Sequence, residues 1–547
     1  MTDSTVRNIA TVFPISADAL KPDPKFHRRR SIVREFSLNT STHGIPGIAR
    51  SESIHNRIFW TISTIIFTGI MIYFITQSII AYFQYPTQTS VSFVVERTQP
   101  FPAVSFCNYG PIRFDKFIGP FINYTNSRNV TNTNDTSTIT FAQSQYIRDF
   151  LQILFNSGQS VTQYLFTLDN MLLTCIYNEG PCSKSDFSSF ISPVYGYCYT
   201  FNAKSRSGNQ TIRQTTQGGS NGIFRLRLYA HSNQYVPFIS EDVSVGFVIM
   251  VHDNDQLPLI DIEGIQLASG GRHKLSYKRR TNQLLPAPYS KCTDKISLPM
   301  QALFDRYGDA DYSYSQTICY SICTQTFIYH ECNCVHPEKF TTRTIMQPGT
   351  NQVFQAPLCN ISDPCYSAAA DRLVNTDSLW NQYCSDCSEA CTSSDFTITP
   401  SSASTLSDEY AYIYKPAVEN MGVPLPADWA TSWMSWMRND YISVDIVTQS
   451  NLVETYTQDP AIGPVDLISN IGGNTGLWIG ISFLSLMELI IREFILVTTT
   501  HGLLSIALIQ NLPNRILWMI STIASFGILI YSVTQAVRSY LSFPTQS

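Results

Sequence analysis

The chain has 547 residues, a formal net charge of −5 at pH 7 and fourteen cysteines. With no basic cluster outside its N-terminal tail, it offers no electrostatic reason to bind nucleic acid. No nucleophile, base and orienting group stand together at motif spacing, so the sequence argues against an enzyme, and it calls for no cofactor.

Residues 1–57 read as a cytosolic tail. Lys25, Arg28, Arg29, Arg30, Arg34, Arg50 and Arg57 all precede the first apolar stretch, and basic residues flank membrane spans on the cytosolic side. Arg28-Arg29-Arg30-Ser31 reads as a solvated charge run beside the membrane or as a kinase site. From Ile58 to Phe83 there is no charged residue, and about 20 apolar residues at 1.5 Å each span a bilayer core. More than fifty residues precede this span, which excludes a secretory signal peptide.

Residues 84–466 then lie outside the cell. All fourteen cysteines fall between Cys107 and Cys391, as a disulfide framework in an oxidising compartment requires, although spacing alone leaves the pairing open. Glycosylation sequons at Asn123, Asn129, Asn134, Asn209 and Asn360 fall there too; Asn39, in the tail, should stay unmodified. Alternation at Phe224–Tyr229 and Ser244–Val251 predicts strands, and residues 145–155 and 159–173 are helical candidates. Residues 367–408, rich in Ser, Asp and Thr, read as stapled loops. His252-Asp253-x-Asp255 reads as a surface turn rather than a metal site, and Cys332, Cys334, Cys384 and Cys387 fit zinc spacing only in part. The fold class is a membrane protein whose transmembrane helices flank a large disulfide-rich α+β ectodomain.

Residues 467–497 hold a pre-pore segment and a second span. Leu477–Val497 carries Glu488, Arg492 and Glu493, which a lipid-facing helix rarely tolerates. Gly472, Gly476 and Gly480 recur every four residues and permit either close helix packing or a break in the helix. Ile481, Ser485, Glu488 and Arg492 share one face; Glu488 would form a carboxylate ring in an oligomer, or a structural ion pair with Arg492 one turn on. A cytosolic loop, 498–515, leads to a third span, 516–540, and an extracellular C-terminus, 541–547. Thr500 to Ser547 aligns without gaps on Thr42 to Thr89 at a constant offset of 458, with about half the positions identical. We read this as a tandem duplication whose second unit is truncated.

Five motifs in order make the sequence recognisable: Thr42-His43-Gly44 in the tail, Phe101-Pro102-Ala103-Val104-Ser105-Phe106-Cys107-Asn108, Cys198-Tyr199-Thr200-Phe201-Asn202, Cys319-x3-Cys323-x8-Cys332-Asn333-Cys334, and Gly472-Gly473-Asn474-Thr475-Gly476-Leu477-Trp478-Ile479-Gly480-Ile481-Ser482. Together they resemble the degenerin/epithelial sodium channel superfamily over residues 36 to 497. The resemblance implies a trimeric, sodium-selective, amiloride-sensitive channel of the plasma membrane, homomeric or built with related subunits, with an acid-sensing-channel-like β core and a helical finger and thumb. It makes Gly480-Ile481-Ser482 the selectivity filter for the permeant sodium ion, and Ser469, Gly472, Gly476, Ser485 and Glu488 pore-lining residues. His43 and Gly44 become the gating motif. The bridges it implies are Cys107 with Cys198, Cys175 with Cys182, Cys292 with Cys391, Cys319 with Cys387, Cys323 with Cys384, Cys332 with Cys365, and Cys334 with Cys359. Tyr85 and Tyr289 stand where acid-sensing members carry the aromatic pair that couples ectodomain to pore. Pro86 and Thr87 replace the two histidines that follow, and Ser92 and Phe93 replace palm acids, so a peptide or other extracellular ligand is favoured over protons. The alternative is a non-conducting receptor or accessory subunit.

Overall fold

The computed structural model describes residues 33–34, 36–38, 40, 42–208, 211–216, 222–239, 244–308, 310–347, 350, 352–404, 406–480 and 512–541. The chain divides into two compact units, a helical one made of residues up to Gln88 and from Pro460 onwards, and a sheet-based one, Thr89–Asp459.

In chain order the elements are α1 (Ile45–Arg50), α2 (Ile54–Phe83), β1 (Thr87–Val95), β2 (Ala103–Asn108), α3 (Phe114–Ser127), α4 (Ile147–Asn156), β3 (Leu172–Tyr177), β4 (Phe187–Ser192), β5 (Gly196–Phe201), β6 (Phe224–Tyr229), β7 (Gly246–His252), β8 (Ile265–Ala268) and β9 (Gly271–Gln283). Then come α5 (Leu298–Phe304), α6 (Gln316–Cys332), α7 (Cys365–Val374), α8 (Asp377–Cys384), β10 (Thr392–Ser404), α9 (Asp408–Glu419), α10 (Trp429–Asp440), β11 (Tyr441–Thr448), β12 (Leu452–Pro460), α11 (Pro464–Ile479) and α12 (Leu512–Leu541).

Two large sheets organise the sheet-based unit, beside two short two-stranded ones. One runs β1-β12-β9-β11-β6-β3, with β10 also paired to β9; the other runs β8-β7-β2-β5-β4. The alternation in β6 sends Phe224, Leu226 and Leu228 into the core, while Arg225 and Arg227 stay half-buried. There they meet Phe101, Phe106, Phe201, Phe247, Ile249 and Leu275, so one apolar layer joins the two sheets. β7 is buried at every position, because its other face, Val248 and Met250, packs into a second cluster with Ile318 and Ile322 of α6. β11 is also buried throughout; the carboxylate of Asp445 on it is held by Arg227 at 3.1 Å and Arg272 at 2.7 Å, as a buried charge requires.

Seven disulfides staple this unit: Cys107–Cys198, Cys175–Cys182, Cys292–Cys391, Cys319–Cys387, Cys323–Cys384, Cys332–Cys365 and Cys334–Cys359. These are the pairs the resemblance implies. Every cysteine is thereby used, which excludes the zinc alternative. Cys107 and Cys198 stand opposite each other on β2 and β5, and three cysteines of α6 tie it to α7, α8 and the segment after α8.

Two local expectations fail. Residues 159–173 form not a helix but two 3-10 turns, Thr162–Tyr164 and Leu168–Asn170, followed by β3. The Asn170 side chain accepts from the backbone N–H of Thr167 at 3.2 Å and its hydroxyl at 2.7 Å, an Asx-type competition with helical bonding. Residues 367–408 hold most of α7, all of α8 and the 13-residue strand β10 rather than loops. β10 takes its conformation from β9, with which it pairs along its whole length.

The helical unit contains α2, 30 residues long and without a buried residue, and α12, also 30 residues long. Both contain stretches long and apolar enough to cross a membrane.

Candidate functional site

Within the helical unit, the chain around His43-Gly44 folds against the end of α11. Gly463 and Pro464 open that helix, with the Asp466 carboxylate accepting from the Gly463 N–H at 2.8 Å. It ends at Gly480, whose φ of +70° is the left-handed conformation glycine adopts without penalty. The N–H of His43 donates to the Ile479 carbonyl at 2.7 Å, satisfying one of the free acceptors of a helix C-terminus. The His43 ring lies so close to Gly480 that a Cβ there would overlap it.

Gly44 is fixed twice over. Its φ is +92°, and a Cβ would run into the hydroxyl of Thr64 on α2. One turn on, a Cβ at Gly47 would lie 2.5 Å from the Trp60 ring. The small residues of the tail motif thus let it press onto α2 and reach Gly480 together.

α11 has two dissimilar faces. On one, Trp478 lies between Phe67 and Phe74 of α2, at centroid distances of 6.1 and 5.8 Å and interplanar angles of 23° and 4°. Roughly opposite, at 100° per residue, Ser469, Gly472, Gly473 and Gly476 form an exposed strip. Added Cβ atoms at these three glycines would meet no atom within 4 Å. One face therefore grips α2, and the other presents bare backbone and a serine hydroxyl.

Ile481, Ser482, Ser485 and Glu488 lie outside the described residues, as do Asn209 and the second His-Gly copy. Tyr85, at φ +50° after α2, packs against Tyr82 and Phe83. Tyr289 sits in the sheet-based unit, closing a turn onto the Pro286 carbonyl. Asn123, Asn129, Asn134 and Asn360 are exposed, as attachment of a glycan needs.

His252 does not lie on the surface. It is buried at the end of β7, its Nε2 2.7 Å from the Ser105 hydroxyl and its Nδ1 2.8 Å from the Asp253 carbonyl; burial lowers its pKa to about 4, so the ring is neutral. Ser105 and His252 are thus both buried within the sheet. Sequence reasoning also missed Asp440 at the end of α10. Its carboxylate accepts from the Ser232 N–H at 2.8 Å and hydroxyl at 2.7 Å, and burial pushes its pKa up to about 6.

The family model described as amiloride-sensitive sodium channel matches residues 36–491. The chain belongs to this family. Among curated relatives of the family, epithelial sodium channel subunit gamma of Neoceratodus forsteri is 28% identical over 65% of this chain, which spans only half the length of that protein. Acid-sensing ion channel 1A of Danio rerio is 27% identical over 87% of this chain and 89% of its own. Acid-sensing ion channel 1 of Gallus gallus is 26% identical over 84% and 82%. Family membership identifies the sheet-based unit as the large disulfide-rich extracellular domain and α2 as a membrane helix.

Proposed function

We propose that the chain is a pore-forming subunit of a trimeric, sodium-selective, amiloride-sensitive channel of the plasma membrane, with its N-terminus cytosolic. The observation that carries this reading is the division of α11: aromatic grip on one side, a Ser469–Gly472–Gly476 strip on the other, and His43 packed at Gly480, the cap of the helix. In a trimer such strips face one another, and backbone carbonyls and hydroxyls then replace part of an ion's hydration shell. Glu488 would add carboxylates on the inner side.

The stimulus in this reading is an extracellular ligand. A cavity of about 440 Å³ supports it, opening between α4, the β4–β5 hairpin and the segment after α6. Leu151, Phe155, Tyr195 and Phe340 line it, with the Arg148–Glu338 ion pair at 3.3 Å among its polar groups. An apolar wall with a few charged groups suits an amphipathic peptide or small molecule. Expression in oocytes during a screen of amphipathic peptides tests this reading: an inward current abolished by sodium replacement and blocked by amiloride is expected. Silence with every peptide, with the protein at the surface, favours the second reading, a non-conducting accessory subunit. That reading draws on α12, a helix beyond the two spans the channel reading needs.

A further inference from the structure

The chain carries two copies of its first membrane segment, and the seat beside α11 fits only one. At the offset of 458, the copy keeps His501, Gly502, Trp518 and Thr522 in place of His43, Gly44, Trp60 and Thr64. It has lost the parts that make the fit. Phe67 and Phe74, the two rings around Trp478, correspond to Ser525 and Ser532. Gly47 corresponds to Ser505; at Gly47 even a Cβ would press on the Trp60 ring, and the copy retains that tryptophan as Trp518.

In lipid, apolar helices gain nothing by hiding from the solvent, so they associate through close packing and hydrogen bonds. Phe67 and Phe74 are seven residues apart, two turns along one face, and Trp478 fits between them. Serines at both places leave the indole without ring contacts. They add no compensating bond to it either, since the indole N–H already donates to the Asn474 Oδ1 at 3.3 Å and a helix hydroxyl readily donates to the carbonyl one turn back, as Thr534 does to Ile530 at 2.7 Å.

We propose that α12 does not exchange with the first span: it leaves the α2–α11 pair intact and packs outside it as an additional helix. This rests on α12 being an inserted span. Since all fourteen cysteines are bridged, introduced cysteines are the only free thiols. Ser63 and Leu477 border one cavity between α2 and α11, and Ser521 is the copy of Ser63, so cysteines at these places leave the three rings untouched. Full-length Ser63→Cys/Leu477→Cys and Ser521→Cys/Leu477→Cys, each with a protease site between the pair and a C-terminal epitope, are treated in membranes with a short bis-maleimide, cleaved and reduced. The first pair should hold most of its fragments together, and the second less than a tenth as much. Linking of 521 to 477 as complete as that of 63 to 477, or no linking of 63 to 477, overturns the assignment. An epitope reached only after permeabilisation removes the three-span reading and this inference with it; an extracellular epitope with a linked 521–477 pair overturns the seat alone. With Trp478 intact, Phe67→Ser/Phe74→Ser should lower surface expression at least fivefold, and wild-type expression would show that the rings do not seat the helix.

Discussion

Asp440 shows how one buried carboxylate makes the extracellular domain respond to pH. Its pKa rises from 3.8 to about 6 because burial penalises the charge more than the two Ser232 bonds stabilise it. Between those values the folded state holds a proton that the unfolded chain has released, so stability falls as pH rises from 4 to 6 and levels off above. Asp440→Asn should flatten that slope, which in the wild type amounts to about 3 kcal/mol at most. Thermal unfolding of purified protein across this range checks it, and an unchanged slope would assign the dependence to other groups. Gly44 is the second decisive residue. Gly44→Ala combines a positive φ with overlap onto Thr64, so peptide-evoked currents in oocytes should fall at least tenfold at equal surface expression. Wild-type currents would mean that the tail motif need not seat against α2.

At the scale of elements, the β core depends on aromatic contacts between its sheets. Phe201 of β5 stacks on Phe224 of β6 at 4.1 Å, and both are fully buried. Phe201→Ala should therefore cost about 3–5 kcal/mol, read as a lower unfolding midpoint of the purified protein, with Phe201→Leu losing less. Equal midpoints for the two variants would mean that the loss follows the ring stack and not the buried volume. Such strands were legible in the sequence because alternation is local: Phe224, Leu226 and Leu228 announce a half-buried strand by themselves. The charge-free stretch of α2 was legible for the same reason, although its helix starts four residues earlier, at Ile54. β10 was not legible, since its polar composition suggests a loop until β9 lies beside it. Nor was the seat of His43, which depends on Ile479 and Gly480 more than 430 residues away. The turn at Thr167–Asn170 was misread because apolar spacing outweighed one asparagine able to bond the backbone.

For the whole molecule, the family accounts for a membrane helix and one disulfide-rich extracellular domain, and α12 is a further apolar helix whose sequence repeats much of the first. In the proposed channel the Ser469–Gly476 face of α11 lines the sodium pathway. Ser469→Cys, expressed alone in oocytes and exposed to a membrane-impermeant thiol reagent, tests it most directly, because a bulky group on that strip should hold the pathway open. A sustained current is expected that vanishes when sodium is replaced and is blocked by amiloride, absent from the unmodified variant and from treated wild type. Modified protein at the surface with no current, or with a current indifferent to sodium, would contradict it.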